Sequence, residues 1–359
     1  MELKGLKIGE KISKYPIIQG GMGVGVSLHK LAGNVAKEGG IGIISTADIG
    51  YKDEEFGKNP LKANLEAIGE EVTKARKIAP HGIIGVNIMV AMNNYAETVK
   101  ECVNNKIDLI VSGAGLPKEL PKLVEGTKTK IAPIISSLRA CKLITKHWRE
   151  KYNYVPDMIV IEGPEAGGHL GFKQTELLEE ENKPKLEDIT KEVVEYIEEV
   201  EKETNKEIPV VVAGGIFDGK DISKFLKLGA SGVQMATRFV ATDECDADIE
   251  FKNAYINAKQ EDIKIIKSPV GMPGRAIRNK FVEKVENEKE KITKCYRCIR
   301  TCDAVNTPYC ITKALINAVK GNIDDALVFC GSNAHRINKI VPVHDLIQEL
   351  VQETELCLN

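Results

Sequence analysis

The stretch PVVVAGGIFDGKDISKFLKLGASGVQMA (209–236) contains two short apolar runs separated by a segment that is compatible with a helix. Both runs, PVVVAGG (209–215) and GVQMA (232–236), are largely apolar without a strict polar alternation. Such runs are typical of strands that are buried on both faces, as in a parallel sheet. The stretch therefore predicts a β-α-β unit with parallel strands.

Six further runs repeat this pattern upstream, and helix-compatible segments such as LHKLAGNVAKEG and ETVKECVNNK lie between them. The runs are YPIIQ (15–19), IGIIS (41–45), IIGVN (83–87), DLIVSG (108–113), KIAPIIS (130–136) and MIVIEG (158–163). Eight strands that alternate with helices predict an α/β fold of the (β/α)8 TIM-barrel class. A doubly wound open sheet is the alternative, although such sheets usually have fewer strands.

The strand-helix repeat ends at residue 245 and divides the chain into a barrel (1–245) and a C-terminal appendage (246–359). We expect the appendage to be mostly helical, to carry a cysteine cluster and to pack on the barrel. Between the second and third predicted strands, ADIGYKDEEFGKNP (47–60) is expected to form a lid or rim loop.

The composition of the 359 residues, 43% hydrophobic and 28% charged, is that of an ordinary globular protein. A net charge of −2 and an aromatic content of 5% give no reason to expect a nucleic acid or an anionic membrane as partner. The N-terminus has no run typical of a signal peptide, and no stretch has the roughly 20 apolar residues of a membrane span. We therefore expect a cytoplasmic protein with a small-molecule substrate, and a homodimer is one expected assembly.

Glycine and polar residues collect at the carboxyl ends of the predicted strands, where the active sites of such barrels lie. These ends read QGGMG (19–23), Asn87, SGAG (112–115), SS (136–137), EGPEAGGHLG (162–171), AGGIFDG (213–219) and QMATR (234–238). Glycines let backbone N–H groups approach a ring, and the last two turns of a barrel commonly bind phosphate. Each glycine alone could serve a tight turn, but together they predict a flat, phosphorylated cofactor over the barrel mouth.

The motifs QGGMG, GVN, EGPEAGGHLG, PVVVAGGI and GVQMATRF, in this order, resemble the nitronate monooxygenase (2-nitropropane dioxygenase) family and the related flavin-dependent enoyl-acyl-carrier-protein reductases. SPVGMPGRAIRN (268–279) is similar to the loop that follows the barrel in both groups. The resemblance implies a non-covalently bound FMN. The cofactor contacts that it implies are Gly21, Met22, Gly23, Asn87, Gly167, Gly168, Gly214, Gly215, Gln234, Met235, Ala236 and Thr237. This chain has Ala236 where the family usually has glycine.

The same resemblance implies that His169 is the catalytic residue. A histidine beside a flavin can act as a base, an acid or a hydrogen-bond donor near neutral pH. With a nitronate it would position the substrate or remove an α-proton, and with an enoyl thioester it would polarise the carbonyl or help to protonate the α-carbon. The alternative is a histidine packed under a loop. For the nearby Glu165 an ion pair or a loop cap is expected.

Four of the nine cysteines form the sequence CYRCIRTCDAVNTPYC, with the spacing C-x2-C-x3-C-x7-C. The residues are Cys295, Cys298, Cys302 and Cys310. Thiolates brought together by such a short segment suit an iron–sulfur cluster or zinc. Reduced thiols or a redox pair in a helical cap are the alternatives.

Three functions follow from these observations. The first is an FMN-dependent monooxygenase that oxidises alkyl nitronates with dioxygen. The second is an enoyl-acyl-carrier-protein reductase that uses NADH or NADPH as co-substrate. The third is a flavin-free phosphate-binding barrel that acts as an isomerase, a lyase or a binding scaffold.

Overall fold

The computed structural model describes residues 3–359, apart from the side chain of Glu180, and contains the predicted barrel. Its strands are β1 (Lys7–Ile8), β2 (Lys11–Ile12), β3 (Ile17–Gln19), β4 (Ile41–Ser45), β5 (Ile83–Met89), β6 (Leu109–Gly113), β7 (Lys130–Ile135), β8 (Ile159–Glu162), β9 (Gly168–His169), β10 (Val210–Ala213), β11 (Gly232–Met235), β12 (Ile263–Lys267) and β13 (Pro273–Ile277). Its helices are α1 (His29–Lys37), α2 (Pro60–Ile78), α3 (Tyr95–Asn104), α4 (Leu120–Leu123), α5 (Leu138–Tyr152), α6 (Gln174–Leu178), α7 (Leu186–Thr204), α8 (Gly219–Lys227), α9 (Thr237–Val240), α10 (Ile249–Asn257), α11 (Lys280–Asn287), α12 (Ile311–Val319) and α13 (Val343–Leu358). Short 3-10 helices lie at Glu54–Gly57, Glu180–Asn182, Gln260–Asp262, Ile323–Asp325 and Ala334–Arg336.

Eight parallel strands close into a barrel in the order β3-β4-β5-β6-β7-β8-β10-β11, and β11 pairs with β3. Each of the eight predicted runs overlaps one of these strands, so the barrel prediction is confirmed and an open sheet is excluded. Successive strand residues face opposite sides and therefore belong to two different cores. Ile43 and Val111 lie in the inner core, whereas Ile44 and Ile110 pack in the outer core beneath the helices.

A charged network lies at the amino end of the barrel, beside the hairpin of β1 and β2. Asp108, which precedes β6, is buried and has one carboxylate oxygen 2.7 Å from Lys11 Nζ. Its other oxygen accepts hydrogen bonds from the Arg76 guanidinium and from the Ile84 backbone N–H, the latter at 2.9 Å. Asp108 therefore ties the hairpin, α2 and β5 together at the end opposite the strand carboxyl termini.

The last helix, α13, packs against α1 and α8 on the outside of the barrel. Its Leu346 and Leu350 join the outer core, and its Glu353 carboxylate accepts the Gly219 backbone N–H at 2.9 Å. Because α9, the helix that directly follows β11, has only four residues, α13 fills the outer layer where an eighth barrel helix is needed. The division of the chain at residue 245 stays a prediction.

The segment between the barrel and α13 contains a small antiparallel sheet in addition to the expected helices. Its order is β12-β13-β9, so that the hairpin of β12 and β13 pairs with residues from the loop after β8. Gly274 pairs with His169, and Arg275 pairs with Gly168. The sheet therefore fixes the histidine-bearing loop to the appendage. Within residues 3–359, no helix combines the length and the apolar character that a membrane crossing requires.

Candidate functional site

A cavity of about 260 Å³ lies at the carboxyl ends of the barrel strands and is roofed by the appendage. Of the residues that the sequence singles out, those that line it are Gly21, Met22, Gly23, Asn87, Glu165, Gly167, Gly168, His169, Gly214, Gly215, Gln234, Met235, Ala236, Thr237 and Cys298. The structure thus brings the implied cofactor contacts and His169 into one cavity. Their individual roles stay predictions.

Most glycines around this cavity are required by close packing between loops. A Cβ on Gly21 would lie 2.4 Å from the Cβ of Asn87, and one on Gly167 would lie 2.6 Å from the backbone of Cys330. A Cβ on Gly215 would lie 2.9 Å from Glu165. Gly168 differs, because its φ is +74° and its missing Cβ faces no atom within 4 Å in the described part of the chain. Gly168 therefore leaves open space inside the cavity.

The turns after β10 and β11 present backbone N–H groups toward one end of the cavity. Among the described residues, the N–H groups of Gly214, Gly215 and Ala236 have no acceptor. The φ of Ala236 is −120°, a value that alanine adopts without strain, so the backbone at this position does not require glycine. This end has the backbone donors that a phosphate group requires.

A segment of the appendage that the sequence analysis did not assign to the site, Cys330–Asn333, holds these turns together. The Gly331 N–H donates to Thr237 Oγ1 at 3.0 Å, and Asn333 Nδ2 donates to the Gly215 carbonyl at 2.6 Å. The Ser332 N–H donates to the Glu165 carbonyl at 3.2 Å. The loops after β8, β10 and β11 are therefore joined by one turn. The only sequence signal was the short GSN turn after the apolar run LVFC.

The amide side chains at the cavity are only partly satisfied. Gln234 Oε1 is buried and has no hydrogen-bond partner within the described residues. Asn87 Nδ2 has one long hydrogen bond, 3.4 Å to the Val111 carbonyl. A buried amide oxygen without a partner costs free energy, so Gln234 is suited to accept a hydrogen bond from a bound molecule.

His169 is half-buried at the cavity wall, on the strand β9 that pairs with the appendage. Its Nε2 lies 2.7 Å from Ser268 Oγ, and its ring packs edge-on against Phe329 with a centroid distance of 4.9 Å. Burial lowers the pKa of His169 to about 4, because a charged imidazolium loses hydration in this environment. The imidazole is therefore neutral at pH 7. Neither Ser268 nor Phe329 carried a sequence signal for this contact.

Two carboxyl groups, one at the end of β8 and one in the loop that follows it, have opposite electrostatic surroundings. Burial alone raises the pKa of Glu162 to about 8, so this group is mostly protonated at pH 7. Burial also raises the pKa of Glu165, but hydrogen bonds from Lys183 and Ser332 and the charge of Arg275 outweigh it and leave the pKa below its usual value. The expected ion pair of Glu165 is thus present, with Lys183 and Arg275 as partners.

The four clustered cysteines line a second cavity of about 210 Å³, between the appendage loop and the start of α12. Within residues 3–359, no three His, Cys, Asp or Glu side chains are arranged to hold a metal ion. The structure therefore does not show a metal site here, and the expected iron–sulfur cluster or zinc ion stays a prediction. Cys330, the next cysteine along the chain, lines the main cavity instead.

Known proteins resemble this chain in sequence and in fold. A probable nitronate monooxygenase of Staphylococcus saprophyticus is 28% identical over 311 residues, covering 78% of this chain and 80% of that protein. A Mycobacterium tuberculosis (3aS,4S,5R,7aS)-5-hydroxy-7a-methyl-1-oxo-octahydro-1H-indene-4-carboxyl-CoA dehydrogenase is 28% identical over 274 residues, covering 76% of this chain and 66% of that protein. The match thus spans slightly less than two thirds of that relative.

The structure of FabK from Thermotoga maritima has a TM-score of 0.73 and 24% identity, and covers 96% of this chain and 94% of that chain. At this identity the likeness shows the fold. The family model described as Nitronate monooxygenase matches residues 6–353, which is nearly the whole chain. The chain therefore belongs to the nitronate monooxygenase family of flavin oxidoreductases.

Proposed function

We propose that this protein is an FMN-dependent enzyme that oxidises alkyl nitronates with dioxygen. The observation that carries the proposal is the neutral imidazole of His169, held by Ser268 at the wall of the cavity. Family membership favours this function over a flavin-free barrel. The alkyl nitronate specificity is our inference from the chemistry of the cavity.

The residues of the cavity fit FMN, the cofactor that the family implies. The free N–H groups of Gly214, Gly215 and Ala236 suit its phosphate, and the unpartnered Gln234 Oε1 suits a hydroxyl or ring N–H donor. Gly168 leaves open space for a ring where any other residue would place a Cβ. When bound, FMN supplies the two-electron acceptor for the substrate and the route of those electrons to dioxygen.

A neutral His169 is better suited to hold a nitronate than to deprotonate a nitroalkane. A general base works best when its pKa lies near the operating pH, and a pKa of about 4 is far below it. Ser268 Oγ accepts the Val270 N–H at 3.4 Å and lies 2.7 Å from His169 Nε2. In the tautomer in which the Ser268 hydroxyl donates to Nε2, the ring proton is on Nδ1 and can be donated to a nitronate oxygen. The substrate enters as the preformed anion.

The second candidate, reduction of an enoyl thioester with NADH or NADPH, is favoured by the apolar roof of the cavity. Leu315, Leu327 and Phe329 of the appendage line it together with Val270. An apolar wall of this kind can bind an acyl chain by removing it from water. In this reaction His169 would donate a hydrogen bond to the thioester carbonyl.

Turnover assays distinguish the two candidates. The holoenzyme should consume dioxygen with propyl-2-nitronate in the absence of pyridine nucleotide, and should be much slower with neutral 2-nitropropane. Oxidation of NADH or NADPH that depends on a crotonyl thioester, without nitronate turnover, would establish the second candidate instead. Absence of an FMN spectrum in the purified protein would contradict both.

The role of His169 is tested by a set of three variants. His169→Ala should lower kcat/KM for the nitronate about 100-fold, and His169→Asn should recover part of this loss because the amide keeps a donor. His81→Ala, which changes an exposed loop histidine, is the matched control and should keep full activity. Full activity of His169→Ala would show that the imidazole does not contact the reacting group.

A further inference from the structure

The cysteine loop forms a site that the proposed oxidation does not use. Its four cysteines, Cys295, Cys298, Cys302 and Cys310, all line the cavity of about 210 Å³ and are called here the four-cysteine cavity. The loop contributes the first three, and the last directly precedes α12. All nine cysteines of the chain are free thiols, so no disulfide accounts for this convergence.

The loop is held in place by the barrel rather than by its own secondary structure. Between α11 and α12 it contains no helix or strand, only an isolated bridge that pairs Ile299 with Met92. The Asn93 N–H donates to the Cys298 carbonyl at 3.1 Å, and the Arg300 N–H donates to the Ala91 carbonyl at 3.0 Å. The loop after β5 therefore positions the backbone at and next to Cys298.

Two arginines and a backbone N–H group lie at the four-cysteine cavity. Arg297 and Arg300 line the cavity, and neither forms a salt bridge with a carboxylate within the described residues. The Arg297 backbone N–H donates to Cys295 Sγ at 3.4 Å. Hydrogen bonds and positive charge at thiolate sulfurs stabilise iron–sulfur centres and tune them.

The room between the thiols distinguishes a cluster from a single ion. Zinc bonds to sulfur are about 2.3 Å long, so a zinc ion draws its four thiolates together around one point. In an iron–sulfur cluster the thiolates bind different irons and stay further apart, around a larger group. Here four thiols surround a cavity of about 210 Å³, which has room for a group larger than one ion.

We propose that the four-cysteine cavity binds an iron–sulfur cluster. The site is adjacent to the main cavity, because Cys298, Ile299 and Ile311 line both. The cluster fixes the appendage loop that forms part of the roof over the main cavity. This inference does not depend on whether the enzyme oxidises nitronates or reduces enoyl thioesters.

The test is metal and sulfide analysis of the full-length chain, purified without oxygen and, in a second sample, reconstituted with ferrous iron and sulfide. We expect iron and acid-labile sulfide in equal amounts, about two or about four of each per chain, with visible absorption that dithionite bleaches. Electron paramagnetic resonance of the reduced sample then gives the cluster type.

Alanine variants test whether these cysteines bind the cluster. Cys298→Ala and Cys295→Ala should each lose most of the iron and sulfide; Cys295 is exposed, so its replacement should leave the circular dichroism spectrum unchanged. Cys357→Ala, which changes an exposed thiol in α13, is the control and should keep the full metal content.

Three outcomes would overturn the proposal. They are bound zinc or iron without sulfide, no iron after reconstitution, and an unchanged iron content in both Cys295→Ala and Cys298→Ala. All three are independent of nitronate turnover, so failure of the cluster and failure of the proposed oxidation can be told apart.

Discussion

Replacing Gly168 with alanine tests whether a cofactor lies in the open space beside this residue. The chain offers a matched control, because Gly126 has a φ of +75°, nearly the same as the +74° of Gly168. A Cβ at either position meets no atom within 4 Å in the described structure, so neither substitution creates a clash with protein. The two glycines differ in place, since Gly126 is in an exposed loop and Gly168 lines the main cavity.

Both substitutions should lower the stability of the apoprotein by the same small amount. An alanine in the left-handed region costs about 1–2 kcal/mol, whatever its surroundings. Only the Cβ at Gly168 would enter the space of a bound flavin, and overpacking of this kind costs about 1–3 kcal/mol. With 1.4 kcal/mol for each factor of ten, Gly168→Ala should weaken FMN binding about 5- to 100-fold beyond any effect of Gly126→Ala.

The measurement is a fluorescence titration of FMN into the two apoproteins and the wild type, with denaturant unfolding of the same samples. Equal losses of stability combined with weaker FMN binding in Gly168→Ala alone would support the reasoning. If the two variants bind FMN equally well, the cofactor does not lie beside Gly168. If Gly168→Ala is much less stable than Gly126→Ala, the space beside Gly168 is closed in solution.

Three further predictions concern ionisable side chains. Burial raises the pKa of Glu162 to about 8, so the folded apoprotein holds this proton more tightly than the unfolded chain and loses stability as pH rises from 4.5 toward 8. In denaturant unfolding at pH 8, Glu162→Gln should therefore be more stable than the wild type by about 1 kcal/mol or more. Equal stability of the two proteins would contradict the raised pKa. Asp108→Asn should lower the free energy of unfolding by about 2–3 kcal/mol, because it leaves Lys11 and Arg76 without their carboxylate partner. The FMN affinity of this variant, measured by titration, should stay unchanged because the cofactor site is at the other end of the barrel. Burial lowers the pKa of His169 to about 4, so its NMR signals, assigned with His169→Asn, should show no titration between pH 5 and 7.5. The free energy of unfolding should fall as pH drops from 6.5 toward 4, because only the unfolded chain takes up the proton. An NMR titration midpoint near pH 6.5 would refute this prediction.

The barrel could be predicted from local sequence because its strands are short, largely apolar runs. Val210–Ala213 and Ile41–Ser45 are buried throughout, which is the pattern of strands covered on both faces. The carboxyl ends of parallel strands meet at one face, so the convergence of Asn87, His169 and Gln234 on one cavity followed from strand order alone. The role of α13 in the outer layer did not, because an amphipathic helix does not specify which surface it covers.

The sequence by itself determined the order of the strands, the glycine turns between them and the spacing of the four cysteines, because these are properties of short segments. Tertiary structure decided the protonation of His169 and Glu162, because a pKa depends on burial and on neighbours from distant segments such as Ser268. It also decided why the glycines are needed. Gly21 and Gly167 give room to other loops, whereas the missing Cβ of Gly168 faces open space, and only the packing of chain segments far apart in sequence separates these two cases.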